Sequence, residues 1–265
     1  MPFTDQVIWI TGASSGIGEG LVHALDLAGA RLVLSSRNVS ALERVRAACT
    51  RPEAHRVVPL DLARAATFPA AVQQVLSHFG RIDILVNNGG ISQRALAVEA
   101  TKASERALME VDYFGPVALT KAVLPAMRAR QAGRVVVISS VMGYVGTPGR
   151  SSYAAAKHAL HGYFDSLRAE LWREKIKVTL VCPGYVQTAV SANAINANGE
   201  KYGRTDLTHQ RGIPVERCVR AILRGIARDR EEIAVGGFEV LGIYLKRFLP
   251  WLYSRVVRRM KFSTR

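Results

Sequence analysis

Residues 6–30 read QVIWITGASSGIGEGLVHALDLAGA. The first six residues form a short apolar run rich in β-branched side chains, the pattern of a buried strand. EGLVHALDLAGA (19–30) repeats its apolar residues at helical spacing. Between them the chain places Gly12-x-x-x-Gly16-x-Gly18. A glycine-rich turn that leads a strand into a helix makes an anion site. The first N–H groups of the helix point outward unpaired, and glycine lets a ligand approach the backbone closely. The spacing differs from the commoner G-x-G-x-x-G dinucleotide fingerprint, but the strand-to-helix context is the same.

The pattern repeats down the chain. RLVLSSR (31–37), HRVVPLDL (55–62), DILVNNGG (83–90), RVVVISS (134–140), KVTLVCPG (177–184) and EEIAVGG (231–237) read as further strands. Helical stretches separate them, at 66–79, about 101–130, from Tyr153 to about 174, and from Pro214 to about 228. Ser40 and Glu43 have the spacing of a capping box. Regular β/α alternation predicts an α/β fold, a doubly wound parallel sheet in a single domain. The second strand ends Ser35-Ser36-Arg37, with no acid. An acid there would hold a ribose 2′-hydroxyl, whereas an arginine pairs with a 2′-phosphate. The cofactor expected on these grounds is NADP(H).

The size, 265 residues, suits one domain with a full core. MPFTDQ runs straight into the first strand, so no signal peptide or N-terminal anchor is read there. No apolar run reaches the roughly 20 residues that span a bilayer. Cys49, Cys182 and Cys218 are odd in number and far apart, which predicts packing roles, no metal site and a reducing, cytoplasmic setting. The histidines, His209 among them, show no metal or triad pattern and read as surface or loop residues. The formal net charge of +15 suits nucleic acid, anionic lipid or an anionic cofactor, but no nucleic-acid module is present.

A second informative stretch is SVMGYVGTPGRSSYAAAK, Ser140–Lys157. Tyr153 and Lys157 are four apart on a strong helix former and so share a face. A free tyrosine ionises near pH ~10, and an ammonium a few ångströms away favours the phenolate. Bringing that value to about 7 takes roughly 4 kcal/mol and yields a proton donor and acceptor near working pH. Ser140 ends the apolar run VVVIS with a hydroxyl able to hold a carbonyl oxygen. Upstream, Pro116 lacks an N–H. If the helix of 101–130 runs through, the Asp112 carbonyl is left free.

TGASSGIG (11–18), NNGG (87–90), Ser140, YAAAK (153–157) and PGYVQT (183–188), in that order, resemble the short-chain dehydrogenase/reductase family over nearly the whole chain. The resemblance implies a Rossmann fold with a seven-stranded parallel sheet. It implies that Gly12, Ser14, Ser15, Gly16, Ile17 and Gly18 cradle the dinucleotide phosphates and that Arg37 holds the 2′-phosphate. Asp61 and Leu62 would flank the adenine, with Asn88 and Gly90 on the adenosine side. Pro183, Gly184, Val186 and Thr188 would contact the nicotinamide half. Tyr153 would exchange a proton with the substrate oxygen, Lys157 would bind the nicotinamide ribose, and Ser140 would position that oxygen. Val141, Met142, Gln93 and Tyr185, with Ser92 and the polar stretch 191–212 read as a mobile loop or lid, would shape the substrate pocket.

Two residues depart from the family pattern. NNGG stands for the usual NNAG. Asp112 stands where the family has an asparagine whose backbone carbonyl is thought to hold a relay water. The expectation is that Asp112 keeps the relay through its own carbonyl. A carboxylate close to Lys157 would instead partly neutralise it.

The last stretch, 238–265, follows a domain of 1–237. Leu241, Tyr244, Leu245, Phe248 and Leu249 lie on one helical face, and Pro250 then starts a second segment. There Leu252, Tyr253, Val256, Val257 and Met260 gather on one side and Arg255, Arg258, Arg259 and Lys261 on the other. Such a basic amphipathic tail suits an anionic membrane surface. It equally suits packing on its own domain or on a dimer mate. The tail, DYFGPVALTK (112–121) and PGYVQT resemble the family branch that holds dehydrogenase/reductase member 7B and the 11-beta-hydroxysteroid dehydrogenases, which favours peripheral membrane contact and a hydrophobic carbonyl or alcohol substrate. The extended tail would block the tetramer contact common elsewhere in the family, and the oligomer expected is a homodimer through 101–130 and 153–174. A catalytically silent NADP(H)-binding sensor or scaffold is the alternative.

Overall fold

The computed structural model describes residues 3–204 and 206–260. Seven parallel strands form one sheet in the order β3-β2-β1-β4-β5-β6-β7. They are β1 (Val7–Thr11), β2 (Arg31–Ser35), β3 (Arg56–Val57), β4 (Ile84–Asn87), β5 (Gly133–Ile138), β6 (Ile176–Pro183) and β7 (Glu232–Val235). The order reverses between β1 and β4, which pair in register from Ile8 with Ile84 to Ile10 with Val86. At such a reversal the loops diverge and open a crevice at the strands' C-terminal ends.

The period-2 alternation of the strands splits the core in two. Ile8, Ile10, Leu32, Leu34 and Val86 face α1 (Gly16–Leu27), α2 (Val39–Ala47) and α8 (Val215–Ala227). Val7, Trp9, Val33, Leu85 and Val137 face α3 (Phe68–Phe79), α5 (Gly115–Ala129) and α6 (Ser151–Leu171). Trp9, fully buried, also satisfies its indole N–H, donating to Ser35 Oγ at 2.8 Å. Both faces of the central strands are thus dry, which is why they read as continuous apolar runs.

Several boundaries differ from the sequence reading. β3 is only two residues long; Val58 and Leu60 still donate to Leu34 O and Ser36 O, but Pro59 between them has no N–H. No capping box forms at Ser40. Asn38 caps α2 by accepting from Ala41 N at 3.0 Å, Ser40 donates to Asn38 Oδ1, and Glu43 pairs with Arg46. The long helix does not run through as an α-helix. α4 (Lys102–Met109) passes through a π-turn, Glu110–Phe114, into α5, and Gly115 N bonds Glu110 O five residues back. The proline at 116 removes the donor that would continue the tighter ladder, and the wider turn absorbs it.

After β6 the chain makes turns, isolated bridges and a short α7 (Leu207–Gln210). After β7 come α9 (Leu241–Phe248) and α10 (Pro250–Val257), neither with a fully buried residue. Lys261 lies outside the described residues, as does the side chain of His209.

Candidate active site

A cleft of about 1690 Å³ opens over the C-terminal ends of β1, β2, β4, β5 and β6. That exceeds the roughly 300–1,000 Å³ of an ordinary single-ligand pocket and leaves room for a dinucleotide and a second molecule.

At its polar end the β1–α1 turn is held from behind. Thr11 Oγ1 accepts from the backbone N–H of both Asn88 and Gly89 at 3.0 Å. Asn88 Nδ2 donates to Thr11 O at 2.9 Å and Gly12 O at 3.2 Å. Gly12 adopts φ +64°, and a Cβ there would meet Asn88 Nδ2 at 2.8 Å. Gly18 faces inward, where a Cβ would lie 2.2 Å from Gly12 O. It makes room for the turn rather than lining the cleft. Ser15 starts α1 with no side-chain cap bond, so the first helical N–H groups are free of any side-chain acceptor from Ser15 and suit an anion. Ser14, Gly16, Ile17, Arg37, Asp61, Leu62, Asn88 and Gly90 line this end. Arg44 steadies it, 2.8 Å from Glu19 and 3.3 Å from Ser14 O. The uncommon Gly89 has a local cause, since a Cβ there would press on Leu62 Cδ1 at 2.8 Å.

At the centre, α6 brings Tyr153 and Lys157 to the cleft, with Lys157 Nζ 5.5 Å from the centre of the Tyr153 ring. Ser140 lies at the end of β5, accepting from Met142 N at 3.1 Å and donating to Pro183 O at 3.3 Å. Lys157 is buried, and its ammonium donates to Ile138 O at 3.3 Å. Its second partner is Asp112. The carboxylate, fully buried, accepts from Ile91 N at 2.7 Å through Oδ1. Its Oδ2 stands 3.1 Å from Lys157 Nζ, an ion pair that is off the hydrogen-bond direction. Burial disfavours the ammonium, but Asp112 and Tyr153 more than offset this and hold the Lys157 pKa above the ordinary lysine value. Burial pushes the Asp112 carboxyl up, and Lys157 and the Ile91 N–H oppose this without cancelling it. The side chain at 112 therefore acts on Lys157 directly, the contact that an asparagine would make without charge.

Gln93 is displaced from the substrate role read for it. It is 1% exposed and sits behind α6, accepting from Ser152 N at 2.9 Å and Tyr153 N at 3.4 Å and donating to Ser152 Oγ. It fixes the start of the helix that carries Tyr153. Val141, Met142, Tyr185, Pro183, Gly184, Val186 and Thr188 do line the cleft. The histidines also divide: His55 and His161 are buried, against the surface reading. His161 contacts Ser139 Oγ at 2.9 Å. His55 and Asp26 lie 3.0 Å apart, and their ligand atoms and that of Cys49 fall within 4.8 Å of one another. This cluster is a structural tie. Thr50 N and Oγ1 take Asp26 Oδ2 at 2.6 and 2.7 Å, and Leu32 N takes His55 Nδ1. All three cysteines are buried, and burial pushes the Cys49 thiol up to about 11 and Cys218 to about 12.

The far end is apolar. Leu241, Tyr244, Leu245, Phe248, Tyr253 and Val256, on α9 and α10, form a wall of the cleft. Tyr253 Oη donates to Gly146 O at 2.6 Å, Lys246 Nζ to Tyr144 O at 2.7 Å, and Glu239 accepts from Tyr185 N at 2.8 Å. The tail thus closes over the 141–146 turn that follows Ser140, while Leu241 (66%), Phe248 (73%) and Trp251 (62%) keep much of their surface exposed.

A glycine-rich anion cradle at the sheet's reversal and a Ser–Tyr–Lys group beside it define a nucleotide-dependent oxidoreductase of the Rossmann class. The chain belongs to the short chain dehydrogenase family, whose pattern matches residues 6–199. Over 261 residues it is 43% identical to the dehydrogenase/reductase SDR family protein 7-like of Anopheles gambiae, covering 96% of this chain and 82% of that one. It is 39% identical to dehydrogenase/reductase SDR family member 7B of Mus musculus, covering 96% and 80%. The crystal structure of a short-chain dehydrogenase from Streptomyces avermitilis superposes with a TM-score of 0.83 at 32% identity, covering 98% of this chain and all of that one. A metagenomic short-chain oxidoreductase solved with NADP superposes at 0.71 with 28% identity, covering 89% and 98%. A Burkholderia phymatum relative solved with NAD shares the fold at 0.82 with 20% identity, covering 99% and 98%.

Proposed function

We propose that the protein is an NADP(H)-dependent oxidoreductase that interconverts a hydrophobic ketone or aldehyde with its secondary or primary alcohol, with Tyr153 as the general acid and base. The carrying observation is the single cleft that joins the β1–α1 cradle, the Ser140–Tyr153–Lys157 group and an apolar wall. The cradle fits the cofactor. Gly12 and Gly16 have positive φ, a Cβ on Gly16 would press against Thr188 at 3.1 Å, and the start of α1 offers donors that Ser15 does not cap. Arg37 lines the cleft beyond an acid-free β2 end, which supports a 2′-phosphate and hence NADP(H).

When bound, the nicotinamide supplies or accepts the hydride. The residues do the rest. Ser140 donates to the substrate oxygen by giving up its bond to Pro183 O, and so orients the carbonyl. Tyr153 delivers a proton to that oxygen during reduction and removes it during oxidation. Lys157, charged and buried, favours the negative charge left on Tyr153 when its proton departs, while Asp112 tempers that effect. The apolar wall excludes water.

The exposed apolar and basic tail supports peripheral contact with an anionic membrane. Phe114 (50% exposed) and Trp172 (69% exposed), on the outer side of the α5 and α6 segments, support a homodimer there. The first experiment measures NADPH and NADH oxidation with a panel of hydrophobic ketones and aldehydes, for wild type and Tyr153→Phe. The expected result is NADPH-dependent turnover that the variant loses while it still binds NADPH. NADPH binding with no turnover by wild type on the whole panel would favour a silent sensor.

A further inference from the structure

Three residues before Tyr153, at the N-cap of the helix that carries it, Arg150 reaches the cleft. Its side chain is only 12% exposed. Among the described residues its guanidinium makes one hydrogen bond, a long one of 3.3 Å to Asp206 Oδ2. Its plane approaches the Tyr185 ring at 5.9 Å. Asp206 is already engaged: Arg94, 3% exposed, donates to the same oxygen from Nε at 2.7 Å. Arg94 spends another nitrogen on Ser92 Oγ and Gln93 O. The nearby acid Glu105 accepts from Ser152 Oγ. Two nearly buried guanidiniums therefore share one carboxylate, and the less satisfied of the two faces the cleft.

A buried guanidinium with most of its donors unspent is costly unless something occupies them. Arg94 spends two of its nitrogens on hydrogen bonds and sets the third against Asp206 Oδ2 as an ion pair, outside the lining of the cleft, so the unspent donors that face the cleft belong to Arg150. We propose that Arg150 is an anion subsite for the substrate, and that the substrate is a hydrophobic oxo or hydroxy compound carrying a carboxylate. The subsite's excess is a single positive charge, which matches a monoanion. A planar fork pairs bidentately with a carboxylate. Arg150 caps the start of the helix that carries Tyr153 and both line the one cleft, so a carboxylate held by Arg150 lies near the reacting carbon, and the apolar remainder runs toward α9 and α10. This substrate class rests on the oxidoreductase reading; the subsite itself does not.

The test uses decanoate as probe, titrated calorimetrically into the full chain with NADPH, beside decan-1-ol and decyl phosphate. The wild type should bind decanoate at least about tenfold more tightly than Arg150→Met does, since a charge-assisted bond is lost. Decan-1-ol should bind both equally, and Arg150→Lys should fall between them. Asp206→Asn keeps Arg150 and removes its shared acid, so it should bind decanoate more tightly than wild type, which keeps the test open if Arg150→Met folds poorly. Equal decanoate affinity in wild type and Arg150→Met overturns the subsite, as does an equal loss for decan-1-ol. Decyl phosphate binding more tightly than decanoate, with the same dependence on Arg150, overturns the monoanion assignment. Arg150-dependent decanoate binding by a protein that turns over no carbonyl would support the subsite and count against the oxidoreductase reading alone.

Discussion

Replacing Asp112 by asparagine keeps the shape of the side chain and removes one buried charge. Asp112 Oδ2 is 3.1 Å from Lys157 Nζ, and Nζ is 5.5 Å from the Tyr153 ring centre. The carboxylate is thus at most about 8.6 Å from that ring centre. Two unit charges at that separation interact by about 2 kcal/mol at an effective dielectric constant of ~20. Negative charge that develops on Tyr153 during alcohol oxidation is opposed by that amount, beyond any weakening of Lys157 itself. At 1.36 kcal/mol per tenfold, the substitution should move the acid limb of the oxidation rate down by roughly 1.4 pH units. Around pH 7, if that lies on the limb, oxidation should rise about ten- to thirtyfold. Reduction, which needs the protonated phenol, should not rise with it. The assay is kcat/KM against pH in both directions, with the best alcohol and carbonyl pair from the panel. A limb that moves by less than about 0.3 of a pH unit would refute the electrostatic argument and leave the backbone-carbonyl relay as the role of residue 112. On the proposed mechanism Asp112 favours reduction over oxidation.

Arg37→Ser should raise KM for NADPH about ten- to hundredfold, the loss of one or two charge-assisted bonds of ~1.5–3 kcal/mol, and leave KM for NADH unchanged; equal effects on both would end the 2′-phosphate assignment. Burial opposes the Asp26 carboxylate, but the two Thr50 bonds and His55 prevail and hold its pKa below the usual aspartate value, while burial lowers that of His55. Both shifts mean that the unfolded chain binds more protons, so the melting temperature should fall as pH drops below about 6.5 through His55 and fall again below about 4 through Asp26. Asp26→Asn should cost about 3 kcal/mol at pH 7, with the gap narrowing in acid; a constant gap down to the acid transition would contradict this. Wild-type protein should co-sediment with phosphatidylserine vesicles at low salt, and Phe248→Ser/Trp251→Ser should lose at least about tenfold in that binding; failure of the wild type to bind would remove the membrane reading.

The sheet was legible because strands buried on both faces cannot hide: QVIWIT and RVVVIS have no polar alternation to confuse with a surface helix. The glycine-rich β1–α1 turn was legible for a related reason. Gly12, Gly16 and Gly18 answer to backbone geometry, and geometry leaves few substitutes. What the sequence concealed are contacts between residues distant in the chain. Gln93 was expected with the substrate-pocket residues, yet its hydrogen bonds go to Ser152 and Tyr153, 59 and 60 positions away. Thr11, at the end of its strand, gave no sign that its hydroxyl holds the Asn88 turn. The buried histidines were misread because a histidine's partner, Asp26 for His55 and Ser139 for His161, is 29 and 22 residues distant. Arg150 was an omission with an available signal, a charged residue three positions before Tyr153 inside the stretch Ser140–Lys157.

The two halves of the cleft obey different constraints. The half at the β1–α1 turn, proposed for the cofactor, is built from strand ends and glycines and tolerates little. The half proposed for the substrate is built from pieces outside the sheet: the 141–146 turn, Arg150 with Asp206, and the tail. These pieces depend on one another. Tyr253 and Lys246 dock the tail on Gly146 and Tyr144, Glu239 ties it to Tyr185, and Tyr185 packs against Arg150. A ligand that neutralises Arg150 therefore acts on a residue linked to the tail through two contacts. Charge on the other side of Tyr153 is set independently by Asp112. Lys157 carries one compensating carboxylate at 3.1 Å and Arg150 shares one with Arg94, so the field at Tyr153 is a balance of two cations, each partly offset. Changing either acid shifts that balance without touching the Tyr153 hydroxyl.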